Sequence, residues 1–161
     1  NLALPFERIT MQDAFARWCG GIDILGTEGD AARLHAAAAR IGAAPRTNES
    51  WEDLFFRLLL ERVEPRLGRE RATFLTHWPA PQAALARRDP TDPRGALRFE
   101  LFVAGMELAN AFDELTDAAE QRARFVHDVA ERRRLYGAEG WEVDEDFLAA
   151  LEHGMPAGSG I

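Results

Sequence analysis

Cysteine is nearly absent: Cys19 stands alone in 161 residues. A single thiol excludes an internal disulfide and points to a reducing compartment, the cytoplasm. Nothing around Cys19 supports a nucleophilic role. Lysine is missing altogether, since all nineteen basic residues are arginine, and alanine is abundant. That pairing reads as compositional bias of the source more than as adaptation. Positive charge is in deficit, with 19 basic against 27 acidic residues and a net charge of −8. The balance excludes nucleic-acid binding through the overall field, although local arginines remain available for it. No apolar run approaches the ~20 residues that a membrane span needs, and Asn1 opens no signal-peptide pattern.

What is present is 47% hydrophobic and long enough for one domain with a real core. The informative stretch is Arg98–Leu115, RFELFVAGMELANAFDEL, an apolar run that contains Glu100, Glu107, Asn110 and Glu114. Arg98–Val103 and Met106–Leu108 are rich in aromatic or branched residues and separated by Ala104-Gly105, which predicts a β-hairpin with a tight glycine turn. A two-residue loop sets Val103 opposite Met106, Phe102 opposite Glu107 and Glu100 opposite Ala109. Glu100 and Glu107 then lie diagonally adjacent on one face, with Phe99, Leu101, Val103, Met106 and Leu108 on the other. Two carboxylates among apolar neighbours repel each other and lose hydration, a poor arrangement unless a cation lies between them. Mg2+ suits that place, because it takes hard oxygen ligands and arrives with substrate phosphates. The alternative is an ordinary hairpin with one solvated face. Strict alternation sends Asn110 to the face opposite Glu107, so a shared site requires a bulge or turn near Leu108–Ala111.

Elsewhere the chain reads as a frame of helices. PFERI is an entry segment, and Thr10 caps a helix carrying Met11, Ala14, Phe15 and Trp18, ended by Cys19-Gly20-Gly21. Asp30 opens a second helix with Leu34 and Ile41 on its apolar side and Gly42 as its stop. Ser50 caps a third, in which Trp51, Leu54, Phe55, Leu58 and Leu59 recur at helical spacing; core packing outweighs a cofactor pocket there. Glu64-Pro65 breaks it. Thr73–Trp78 is a strand beside the hairpin, stopped by Pro79. Asp117 starts a long helix with Phe125, Val129 and Val126 as its buried side and Arg132–Arg134 as a solvated basic end. Gly137–Val143 is a loop, and Asp144 caps a last helix containing Phe147, Leu148 and Leu151. His35 and His127 have no metal-ligand neighbours and read as surface histidines. His77, at a strand end, reads as structural.

RFELFVAGMELANAFDELTDAAEQRARF resembles the segment that precedes the last signature motif of class II lysyl-tRNA synthetases: RFE, then E-L/I-x-N-G-F-x-E-L, then a D-x-x-x-Q-x-x-R-F helix. DEDFLAALEHGMPAGSGI is similar to that family's helix and G-M-P-x-x-x-G turn, and PFERIT to the segment after motif 2. GRERATFLTHWPAPQAALARR is closer to the truncated branch of the family, the GenX/PoxA-type enzymes that ligate lysine, preferably (R)-β-lysine, to elongation factor P. The resemblance implies an α+β fold, an antiparallel sheet flanked by helices, with residues 1–161 as one partial catalytic domain, mainly helical to about residue 70. It implies ATP and Mg2+ as cofactors and activation of lysine or β-lysine as an adenylate. The acceptor would be elongation factor P, or tRNA-Lys if the chain comes from a true synthetase; a non-catalytic relative is the third possibility. By carry-over, Glu100 and Glu107 would hold the magnesium that bridges the phosphates, while Asn110 and Glu114 would read the substrate, Glu114 matched to an ammonium group. Ala111 departs from the family, where glycine follows the Asn, and its methyl is expected close to the substrate pocket. Motif 1 and the ATP-clamping arginines of motifs 2 and 3 have no counterpart in these residues. Together with the missing initiator Met and a final Gly-Ser-Gly-Ile that stops in mid-motif, this leads to the expectation of an inactive piece of a longer, homodimeric enzyme.

Overall fold

A computed structural model describes residues 4–137 and 142–160. Five strands form one sheet in the order β1-β2-β3-β4-β5: β1 Glu7–Thr10, β2 Thr73–Pro79, β3 Gly95–Val103, β4 Met106–Asp113 and β5 Ser159–Gly160. All neighbours are antiparallel except β1 and β2, which run parallel. The entry segment is thus a strand: Glu7–Thr10 has too few apolar residues to show a period of two, and pairing with Thr73–Thr76 gives it its conformation.

Three helices, α1 Met11–Trp18, α2 Ala31–Arg40 and α3 Trp51–Leu58, cross from β1 to β2. Their starts are fixed by side-chain caps. Thr10 Oγ1 accepts from Asp13 N, Asp30 Oδ1 from Ala32 N and Arg33 N, and Ser50 forms a capping box with Asp53. The apolar stripes bury Phe15, Leu34, Leu54, Phe55 and Leu58 against Leu75, Trp78 and Phe102 of the sheet. Phe55 stacks between Phe15 and Trp51, with ring centroids 5.5 and 5.0 Å away. Glu64-Pro65 does not simply break α3: a π-helical turn over Leu59–Val63 and a 3₁₀ turn over Glu64–Arg66 carry the chain on and keep Val63 buried.

Two expectations about burial are overturned. The helix α4, Ala118–Tyr136, is nearly solvated along its length: Val126 is exposed and Gln121 is its one buried residue among those described. Charge dominates its sequence, and Phe125 packs its ring against Phe147 of α5, Glu145–Gly154, with centroids 5.8 Å apart. Asp117 and Asp144 do cap α4 and α5. His35 is no surface histidine but half-buried, its Nε2 enclosed without a hydrogen-bond partner; His127 is exposed. The loop expected over Gly137–Val143 falls largely outside the described residues.

Candidate active site

The hairpin forms with the predicted turn. Val103 pairs with Met106 and Phe102 with Glu107 across Ala104-Gly105, both of which adopt positive φ (55° and 79°). Beyond that point the predicted register fails. Leu101 pairs with Ala109 and Glu100 with Asn110, so Leu108 is an extra residue, a β-bulge in β4 at the start of the expected interval. The strands are also longer than their apolar cores suggested, β3 beginning at Gly95 and β4 running to Asp113.

The bulge reverses the facing of all that follows it. Glu107, opposite Phe102, and Asn110, opposite Glu100, now share one face, and alternation carries Phe112 and Glu114 to the same side. Ala111 pairs with Phe99, so its methyl lies on the face opposite Glu100, Glu107 and Asn110 and not beside them as the resemblance implied. The glutamate face looks toward the helical layer: its neighbours Leu75, Phe102 and Trp78 are core residues, whereas Met106 and Leu108 on the back are 61% and 59% exposed.

Arg98 holds the centre, and the motif reading gave it no role. Its Nη2 donates to Glu100 Oε1 at 2.8 Å, Nε to Asn110 Oδ1 at 3.2 Å and Nη1 to the Gln82 carbonyl at 3.0 Å. Its guanidinium carbon lies 3.9 Å from the Trp78 ring centroid. Asn110 Nδ2 closes the triangle by donating to Glu100 Oε1 at 3.2 Å. The available signal was the spacing: Arg98 sits two residues before Glu100 on one strand, hence on its face. Burial, reinforced by the charge of Glu107, pushes the Glu100 carboxyl up to about 7 despite Arg98; burial also lowers Arg98 from its ordinary value.

Glu107 is exposed, and neither it nor Glu114 has a side-chain hydrogen bond or ion pair among the described residues. Glu114 lies at the far end of the row, roughly 13 Å of strand beyond Asn110. There Gly160 of β5 leaves it room: a Cβ at Gly160 would lie 2.5 Å from Glu114 Oε1. The segment 85–88 fixes this end, with Leu115 N donating to Leu85 O at 2.8 Å and Arg87 N to Asp113 O at 2.7 Å. Arg124 of α4 in turn donates to the carbonyls of Ala84 and Ala86 at 2.7 and 2.8 Å. His77 occupies a bulge in β2 with φ 55° and lies 3.4 Å from the buried Asp89.

The described residues contain no group of three side chains placed to ligate a metal. Glu100 and Glu107 are hard oxygen donors of the kind that Mg2+ takes when substrate phosphates complete its shell, and Glu107 is unpaired among the described residues.

The family model of class II tRNA synthetases (D, K and N) matches residues 1–161. The chain belongs to that family. Its α+β sheet with flanking helices is part of a class II synthetase catalytic domain. Among curated relatives, the chain is 43% identical to the elongation factor P (R)-β-lysine ligase of Edwardsiella ictaluri over 157 residues, 96% of this chain and 47% of that protein. It is 45% identical to the ligase of the same name from Hamiltonella defensa, with the same coverage. A lysine–tRNA ligase of Dehalococcoides mccartyi is 41% identical over 159 residues, 98% of this chain and 31% of that protein. The chain spans about half the length of the elongation factor P ligases that it matches. None of its described helices is long and apolar enough to cross a membrane.

Proposed function

We propose that residues 1–161 carry part of a site that activates lysine or β-lysine with ATP and passes the acyl group to a lysine of elongation factor P. The observation that supports this reading is the bulge at Leu108, which aligns Glu100, Glu107, Asn110 and Glu114 on one face. In the first step a carboxylate oxygen of the amino acid bonds to the α-phosphorus of ATP, and the bond to the bridging oxygen breaks to release pyrophosphate. In the second, the acceptor amine bonds to the acyl carbon and AMP leaves. Catalysis of this kind rests on positioning and on charge neutralisation. Glu100 and Glu107 would hold Mg2+, which neutralises phosphate charge when bound. Asn110, pinned by Glu100 and Arg98, orients the amino acid through its amide. Glu114 at the end of the row faces an ammonium group, about where the far end of a lysine-like substrate would lie. We place this chemistry in the cytoplasm, in a homodimeric protein in which these residues form one partial catalytic domain.

The test is lysine- or (R)-β-lysine-dependent ATP–pyrophosphate exchange by the protein as its gene encodes it. Glu107→Gln is expected to abolish exchange; near-normal exchange would sink the site assignment. Transfer of labelled amino acid to elongation factor P, and not to tRNA-Lys, decides the acceptor. The similarity to a lysine–tRNA ligase supports the second reading, transfer to tRNA-Lys. A protein that neither exchanges nor binds ATP would be a non-catalytic relative.

A further inference from the structure

One concavity contradicts the charge of the whole molecule. A cavity of about 500 Å³ opens between the end of α1, the loop after α3 and the edge strand β1, lined by Arg17, Trp18, Arg66, Arg69 and Arg71, with Thr73 beneath. An adjoining recess of about 540 Å³ shares Arg17, Trp18 and Arg66 and adds Arg62. Three acids border the two. Glu7 is engaged by Arg17 at 3.4 Å and by the Thr73 hydroxyl at 3.0 Å, and Glu61 faces Arg46 at 3.9 Å, which leaves Glu70. Against that one carboxylate stand Arg62, Arg66, Arg69 and Arg71. Arg62 and Arg69 donate only to the carbonyls of Ile41 and Pro65, and no side-chain bond ties Arg66 or Arg71 among the described residues. Elsewhere arginines such as Arg33, Arg57, Arg94 and Arg122 are matched to carboxylates.

The loop that presents these cations is fixed. Leu67 is buried, Gly68 N donates to Thr73 Oγ1 at 3.2 Å, and Gly68 O accepts from Ala104 N at 2.8 Å. Gly68 has φ +66°, and a Cβ there would lie 2.7 Å from the Phe102 carbonyl group, so the backbone packs directly on β3. Arg69 lies over Gly105 in the hairpin turn. Four cations along one concavity, with one carboxylate left to match them, attract an anion, and planar guanidiniums match phosphate oxygens in pairs.

We propose that this concavity is a second anion site, for a ligand bearing two or more adjacent phosphates. The concavity is open and arginine is its commonest lining residue, so charge and not enclosure would select its ligand. A compact anion answers to the local charge, whereas a long polyanion would also meet the field of a molecule of net charge −8. None of Glu100, Glu107, Asn110 and Glu114 lines it, so it stands apart from the glutamate face and does not depend on the lysine-activating reading.

Calorimetric titration of the gene-encoded protein with inorganic tripolyphosphate tests the site. Arg66→Gln/Arg71→Gln is expected to weaken binding at least tenfold, Arg66→Lys/Arg71→Lys to weaken it less, since the charge stays while the fork is lost, and Glu107→Gln to leave it unchanged. Both arginines are exposed, so the fold survives their replacement. Unchanged affinity in the Gln pair, or loss in Glu107→Gln, overturns the proposal. Competition by ATP that persists in Glu107→Gln assigns the phosphates to a nucleotide, and lack of competition assigns them to inorganic polyphosphate. Tighter, arginine-dependent binding of a 20-nucleotide RNA overturns the compact-anion assignment.

Discussion

Arg98 reaches three acceptors on three separate segments while its guanidinium sits over the Trp78 ring. Lysine keeps the charge but cannot make the fork or the stack. Arg98→Lys is therefore expected to lower stability by about 2 kcal/mol, read from urea unfolding, since charge-assisted buried bonds are lost and Glu100 is left half-matched. Glu100 gives a pH signature. Its carboxyl titrates near 7 in the folded chain and near 4.5 as a free side chain. The folded state thus holds the proton that the unfolded state has released between those values. Stability from this group is present below about pH 4.5 and is lost as pH rises to about 7, by up to about 3 kcal/mol. Glu100→Gln should flatten that part of the stability–pH profile, checked by denaturation at pH 5 and pH 8. If Glu100 and Glu107 hold Mg2+ as proposed, that binding would tighten as pH rises through 7 with release of a proton, measurable by calorimetry in buffers of different ionisation enthalpy.

At the scale of the element, the hairpin separates the identity of a residue from its presence. Leu108 is mostly exposed, and Leu108→Ala should change stability by less than about 0.5 kcal/mol. Deleting Leu108 removes the bulge and rotates one strand segment against the other, so Asn110 and Glu114 would exchange faces with Ala111. On the proposed function, lysine-dependent exchange by the gene-encoded protein is expected to survive the substitution and vanish in the deletion. This difference also explains what the sequence could show. Helix starts were legible at Thr10, Asp30, Ser50, Asp117 and Asp144 because a cap is a local hydrogen bond made by a known residue type. The Ala104-Gly105 turn was legible for the same reason. Register beyond Leu108 was not, since it depends on pairing with β3; the need for a bulge there could be inferred only from where Asn110 and Glu114 had to point. Arg98 went unassigned because its partners Gln82 and Trp78 come from other segments. The burial expected for Val126 failed because a helical period shows which side is apolar, not whether anything covers it.

Across the whole molecule, stability is unevenly distributed. The core joins α1, α2 and α3 to β1, β2 and β3, while α4 adds one buried residue, Gln121. Phe55→Ala, which empties the centre of the aromatic stack, should cost about 3–5 kcal/mol, and amides of α3 should exchange far more slowly than those of α4. Hydrogen exchange with mass spectrometry reads the second contrast, and equal protection of the two helices would refute it. The parallel pairing of β1 with β2 also orders events in time. Glu7 and Thr73, hydrogen-bonded neighbours in the finished sheet, are 66 residues apart. At a synthesis rate of about 5–20 residues per second, the first strand waits roughly 3–13 s for its partner to be made. Its charged pair, Glu7 and Arg8, lies where an unpaired strand is most open to the wrong neighbour.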